Sequence, residues 1–226
     1  MINYWIKDEQ LFDHPVDESK QLRSTEELYF VYYLQELKQH AFISRFEYEP
    51  FSFNLFDGKE FNVQQITKRG TTDAIVKALG VHVYTPDFEI EWTDKALGIF
   101  IWHDYKPTVF ERTKPIQAFF STWDMNTLVD VKGGSYNSKN NNSAVTFPIN
   151  QKWVWSRYER YVEKVIVSKN NNSIFSKTFT PAKVDAEERY KRDYVVKGEL
   201  IGKKGDSKLK YDVRTITEFV TGRSSS

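Results

Sequence analysis

Two stretches decide how this 226-residue chain is read: Tyr84-Thr85-Pro86-Asp87-Phe88 and Leu128-Val129-Asp130-Val131-Lys132-Gly133. An Asp and a Lys two positions apart on a strand project from the same face. Pro86 sits between apolar runs, where a ladder donor is dispensable. The expectation is that Asp87, from a neighbouring strand, meets Asp130 and Lys132 at one end of a sheet. Two carboxylates and an ammonium converging there suit a hard divalent cation and a polarised water. That is the equipment for cutting a phosphodiester bond.

Upstream, Ser24-Thr25-Glu26-Glu27 opens a helix. Ser24 with Glu27 three residues on is a capping-box pattern, and Leu28, Val31, Tyr32, Leu34 and Leu37 continue at helical spacing. Glu27, rather than Glu26, is the expected third carboxylate, since Leu34 lies seven residues on and Ser24 can cap it; the choice between the two stays open. Residues 41–48 and 51–56 read as strands split by Pro50, and Asp57-Gly58-Lys59 as a turn. Asp73 to Leu79 reads as a helix ending at Gly80. Val81–Tyr84 and Phe88–Trp92 are strand-like. Residues 93–126 read as an aromatic-rich insertion or extended hairpin, Leu128–Val131 as a short buried strand, and residues 136–143 as an Asn-rich loop. Pro148 marks a helix start, and residues 162–167 form a further strand. Residues 1–22 look irregular and 181–226 like an extension, with a disordered end from Arg223.

This sequence order is similar to that of the PD-(D/E)XK, or restriction-endonuclease-like, nuclease superfamily. Pro86-Asp87 and Asp130-Val131-Lys132 match both halves of its signature literally. The helix carrying Glu27 looks like the first helix of small phage and mobile-element members. The resemblance covers roughly residues 24–167. It implies an α/β fold, a mixed sheet flanked by helices, with a core over residues 1–180 and a basic C-terminal extension over 181–226. It also implies that Asp87 and Asp130 ligate Mg²⁺ or Mn²⁺, that Glu27 reaches the same ion directly or through water, and that Lys132 orients the attacking water or stabilises charge on the phosphate. The Gly133-Gly134 pair is expected to let the backbone approach a phosphate. The implied activity is endonucleolytic hydrolysis of DNA. Richness in Asn, Lys, Tyr, Phe and Ile suggests an AT-rich genome and a phage junction-resolving or recombination nuclease. Two other classes remain: a non-catalytic DNA-binding or assembly protein on the same fold, and a transposase-like subunit active only with a partner.

Composition narrows these options. Hydrophobic residues make up 40% and aromatics 16%, which suits a packed globular protein. The absence of cysteine excludes disulfides, thiolate nucleophiles and Cys-ligated zinc. The expected setting is cytoplasmic (host cytoplasm if viral), with no signal peptide, membrane span or organic cofactor. The four histidines share no ligand spacing, and Gly202-Lys203-Lys204-Gly205 lacks phosphate-loop spacing. Gln151-Lys152 resembles a position some superfamily members place near the site, though a solvated first turn is the simpler reading. Trp153, Trp155, Tyr158 and Tyr161 read as core packing before base stacking. A homodimer suits symmetric cutting of two strands.

Net charge is +1, but it is split: residues 1–130 hold 21 acidic and 13 basic side chains, and residues 131–226 hold 10 and 19. A basic half is a nucleic-acid footprint. Lys139, Lys152, Lys203, Lys204, Lys208 and Lys210 are the candidate phosphate contacts. Each phosphate neutralised on duplex DNA adds roughly 0.9 to the salt slope of binding. Replacing Lys203, Lys204, Lys208 and Lys210 together with Ala is therefore expected to weaken binding and flatten its salt dependence, without changing any metal requirement. An unchanged slope in a salt titration would assign the tail another role.

Overall fold

The computed structural model describes residues 2–102, 120–122, 124–134, 136, 142–196, 199–202, 209, 211 and 213–224. In chain order it contains β1 (Trp5–Lys7), β2 (Gln10–Phe12), β3 (Lys20–Gln21), α1 (Thr25–Gln39), β4 (Ile43–Tyr48), β5 (Phe53–Phe56), β6 (Lys59–Thr67), β7 (Gly70–Leu79), β8 (His82–Tyr84) and β9 (Phe88–Trp92). A 3-10 turn at Asp94–Ala96 precedes β10 (Ile101–Trp102), β11 (Phe120–Ser121), β12 (Asn126–Gly133), α2 (Asn142–Tyr158), β13 (Val162–Val167) and α3 (Ile174–Lys177). The chain continues through α4 (Ala182–Arg192), β14 (Asp193–Val196), β15 (Glu199–Gly202) and α5 (Ile216–Ser224).

Four strands form the central sheet in the order β13-β12-β9-β4. β12 pairs with β9 antiparallel, β9 with β4 antiparallel, and β12 with β13 parallel. The parallel step is the only one needing a long connection, and α2 supplies it. The protein is thus a mixed α/β fold.

α1 forms because its start is capped: the Ser24 hydroxyl accepts from the Glu27 N–H at 3.1 Å. Its apolar side packs on one sheet face. Phe30 and Phe88 meet edge to face with centroids 5.2 Å apart, and Tyr33 stacks on Phe179 at 4.5 Å. Val129, Val131, Val165 and Val167 complete this main core from the sheet. The opposite face carries a smaller core, where Leu128 and Val162 meet Phe147 and Val154 of α2 and Phe53, Leu55 and Tyr84 of the β5–β8 pair. β12 is therefore enclosed on both sides.

Several expectations are corrected here. Residues 1–22 are not irregular: β1 pairs with β2 and β3, and their side chains guard the outer edge of β4. The Glu9 carboxylate accepts from the Phe46 N–H at 2.8 Å, and the Lys20 ammonium donates to the Tyr48 and Glu49 carbonyls at 3.0 and 2.6 Å. Polar groups that consume an edge in this way prevent further strand addition. Asp73–Leu79 is strand, not helix; β6 and β7 form a long hairpin turning at Thr67–Gly70. Gly70 adopts φ +127°, which only glycine tolerates well, and β-branched pairs such as Ile66–Thr71 favour the ladder. α2 begins at Asn142, so Pro148 lies inside it rather than at its start. Trp153, Trp155, Tyr158 and Tyr161 are 40–42% exposed and do not form a core. Arg223 and Ser224 belong to α5 rather than to a disordered end.

The described ends of the insertion, Phe100, Ile101 and Phe120, are buried in the main core. So are Val184, Ile216 and Phe219 of the C-terminal extension, with Phe219 packing on Phe100 at 5.4 Å. Among the described residues no helix is long and apolar enough to cross a membrane.

Phe88 is fully buried between α1 and Tyr48. Truncating such a residue removes both its transfer energy and its packing partners. Phe88→Ala is expected to cost about 3–5 kcal/mol in urea unfolding, against less than about 0.5 kcal/mol for Lys68→Ala at the exposed hairpin turn.

Candidate functional site

The register of β9 on β12 builds the site. Val129 pairs with Phe88, so the next step of the antiparallel ladder sets Asp130 opposite Asp87. Directly opposed residues share a face, as Asp130 and Lys132 do along β12. Asp87 is fixed from both sides: its carboxylate accepts from the Val131 N–H at 2.6 Å, and its carbonyl accepts from the Glu49 N–H at 2.8 Å.

Asp130 is almost fully buried at 4% exposure. One carboxylate oxygen accepts from the Tyr84 hydroxyl at 2.7 Å; the other is paired with the Lys132 ammonium. Lys132 also lies 5.6 Å from the Phe147 ring centroid, so α2 walls this side of the site. Glu27 enters from α1, 7% exposed. Its Oε2 accepts from the Tyr48 hydroxyl and from the Arg23 N–H, both at 2.8 Å. Asp87 thus has Asp130, Lys132 and Glu27 as its charged neighbours.

The sequence did not point to Tyr48 and Tyr84. Each follows the strand alternation as an apolar core residue would, but a buried tyrosine hydroxyl needs a partner, and here each partner is a site carboxylate. Burial and the neighbouring carboxylates push both phenols well above the usual tyrosine range, so they stay protonated donors. Desolvation also pushes the Asp87 carboxyl up, to about 8, reinforced by the Asp130 charge and partly offset by Lys132 and the Val131 N–H.

Glu26 is half-buried and also nearby. A Cβ on Gly133 would lie 2.8 Å from its Oε1, and one on Gly134 would lie 2.8 Å from the Ser168 Cβ. The two glycines therefore make room for protein groups, which corrects the expectation that they open the backbone to a phosphate. Gln151 donates its amide to the Val162 carbonyl at 2.6 Å and is spent on structure. Lys152 is exposed on α2. Lys139, Lys203, Lys204, Lys208 and Lys210 lie outside the described residues.

The carboxylate oxygens are the donor type that Mg²⁺ and Mn²⁺ prefer. Among the described residues, however, no three Asp, Glu or His side chains are grouped closely enough to enclose an ion as they stand. Asp130 is instead neutralised by Lys132, and Glu27 is held by Tyr48. Chemically the cluster is a buried set of hydrogen-bonded carboxyl groups with the Lys132 ammonium paired to Asp130.

The raised Asp87 pKa has a stability consequence. Between the unfolded value near 3.8 and the folded value of about 8 the native state binds the extra proton. Stability from this group is therefore present below about pH 4 and lost as pH rises towards 8. In EDTA, the wild type is expected to lose urea stability relative to Asp87→Asn as pH goes from about 5 to 8, since Asn holds no titrating proton. Parallel pH profiles for the two proteins would show that Asp87 is not the responsible group.

No protein-family model, curated protein or solved structure compared with the chain matches it.

Proposed function

We propose that this chain is a metal-dependent DNA endonuclease on a restriction-endonuclease-like fold. The observation that carries the reading is the placement of Asp87, one residue before β9, against β12 beside Asp130, with its carboxylate on the Val131 N–H, Lys132 two residues on from Asp130 and Glu27 near from α1. The sequence of capped helix, antiparallel strands, Asp-x-Lys strand and following helix, with all four strands in one sheet, supports the same reading.

Asp87 and Asp130 would hold Mg²⁺ or Mn²⁺, with Glu27 reaching it directly or through water. Such an ion polarises the scissile phosphate and lowers the pKa of the attacking water. Lys132 would supply the adjoining positive charge, its ammonium donating to a phosphate oxygen or orienting the water. Tyr84 fixes the rotamer of Asp130 and Tyr48 that of Glu27, so neither carboxylate must be ordered when the ion arrives. Leu128, Phe147 and Val154 keep the α2 side apolar, which strengthens the electrostatic terms inside.

A second reading, a non-catalytic DNA-binding protein, draws on the closed Asp130–Lys132 pair and the lack of a ready ion cage among the described residues. Incubation with supercoiled plasmid and four-way junction DNA, with and without Mg²⁺ or Mn²⁺, separates the two readings.

Asp130→Asn is expected to abolish cleavage while preserving the fold and DNA binding. Lys132→Ala should do the same with less effect on metal affinity. Tyr84→Phe, which removes a supporting hydroxyl only, is expected to lower activity by about 10–100-fold. Full cleavage by Asp130→Asn, in preparations free of host nuclease, would contradict the assignment.

A further inference from the structure

The β6–β7 hairpin has no role in either core. Its strands run for 9 and 10 residues, yet nearly every side chain faces solvent on both sides. At about 3.3 Å per residue it reaches roughly 30 Å. Ile66 is 90% exposed, Ile75 70% and Phe61 51%. A two-stranded ribbon of this kind gains nothing from standing free in water, because it buries little and leaves both edges unpaired.

The hairpin's chemistry identifies what it meets. Its turn carries Lys68 and Arg69 side by side, and the turn is fixed locally: the Thr67 hydroxyl donates to the Gly70 carbonyl at 2.8 Å and accepts from the Arg69 N–H at 3.3 Å. Residues 59–79 hold four basic and two acidic side chains. The outer half offers Gln64, Gln65, Thr71 and Thr72, neutral groups that both donate and accept. Basic tip and amide flank complement a duplex, whose major groove, about 12 Å wide, admits a two-stranded ribbon. A second copy of the same hairpin would instead oppose like charges at the tip.

Attachment places the ribbon beside the candidate site. β6 leaves β5 through the Asp57–Gly58 turn, and β7 returns into β8. β5 and β8 pair with each other, Tyr84 of β8 donates to Asp130, and Asp87 follows three residues later. The hairpin's base is therefore next to Asp87 and Asp130, and its length is close to one helical turn of a duplex, about 34 Å.

We propose that the β6–β7 hairpin is a DNA-gripping wing, with Lys68 and Arg69 on phosphates and the Gln64–Ile66 strand end in the groove. This rests on the nuclease reading and deepens it. The test uses Lys68→Ala/Arg69→Ala, whose positions are exposed and contribute nothing to the core. Binding of a labelled linear duplex is followed by fluorescence anisotropy in EDTA across a KCl series, with circular dichroism and sedimentation as controls. Losing two phosphate contacts should lower the salt slope by about 1.8 and weaken binding at about 0.1 M KCl by at least tenfold. A variant that binds with unchanged slope and affinity overturns the wing, while plasmid cleavage by the wild type would still uphold the nuclease reading. Loss of a dimer with unchanged DNA binding would overturn it in favour of a self-association arm. A wild type that neither binds nor cleaves DNA overturns both.

Discussion

The pairing of β9 with β12 is the constraint on which the rest depends. Because the side-chain period of a strand is two, a slip of one residue would send Asp130 and Lys132 into the main core and turn Val129 and Val131 to the α2 side, where the carboxylate site lies. The register is held by Phe88, fully buried under α1, and by the Val131 N–H bonded to the Asp87 carboxylate. The same contacts that fix the fold thus bring Asp87 opposite Asp130. Packing and site geometry cannot be separated at this position.

That arrangement has an energetic cost. Asp87 is buried with Asp130, Lys132 and Glu27 as charged neighbours, and its pKa is raised first by desolvation and then by the Asp130 charge. Glu27, Asp87 and Asp130 are nevertheless each hydrogen-bonded, by Tyr48, by the Val131 backbone and by Tyr84 respectively. A protein selected for stability alone would place apolar groups there. On the proposed reading, carboxyl groups held in fixed orientation are kept there to receive a cation. The two phenols then act as fixed donors, because their own ionisation is strongly opposed.

The legible parts of the sequence were those where local chemistry and tertiary structure agree. Ser24 caps the helix that its spacing to Glu27 implied, and in a mixed α/β fold Asp130 and Lys132 lie on β12 while Pro86-Asp87 leads directly into its neighbour β9. The β6–β7 hairpin is hidden in the sequence because Ala74, Lys77, Ala78 and Leu79 are good helix formers, whereas the cross-strand partners of Ala74, Lys77 and Leu79 lie 11, 17 and 20 residues upstream. The start of α2 is obscured because Pro148 favours a first turn, whereas it stands at the seventh residue of the helix, where it has no N–H to give the ladder. The exposure of Trp153, Trp155 and Tyr158 on α2 is not legible because composition does not say which face of a helix is covered. Tyr48 and Tyr84 carried no motif; only their burial beside carboxylates gives them a role.

The central claim is that this carboxylate cluster is a divalent-cation centre. Crystals soaked in Mn²⁺ and measured for its anomalous scattering test it most directly. The account predicts a peak about 2.0–2.3 Å from carboxylate oxygens of both Asp87 and Asp130, with the Lys132 ammonium displaced from Asp130. No peak there at saturating Mn²⁺, with Lys132 still paired to Asp130, would contradict it.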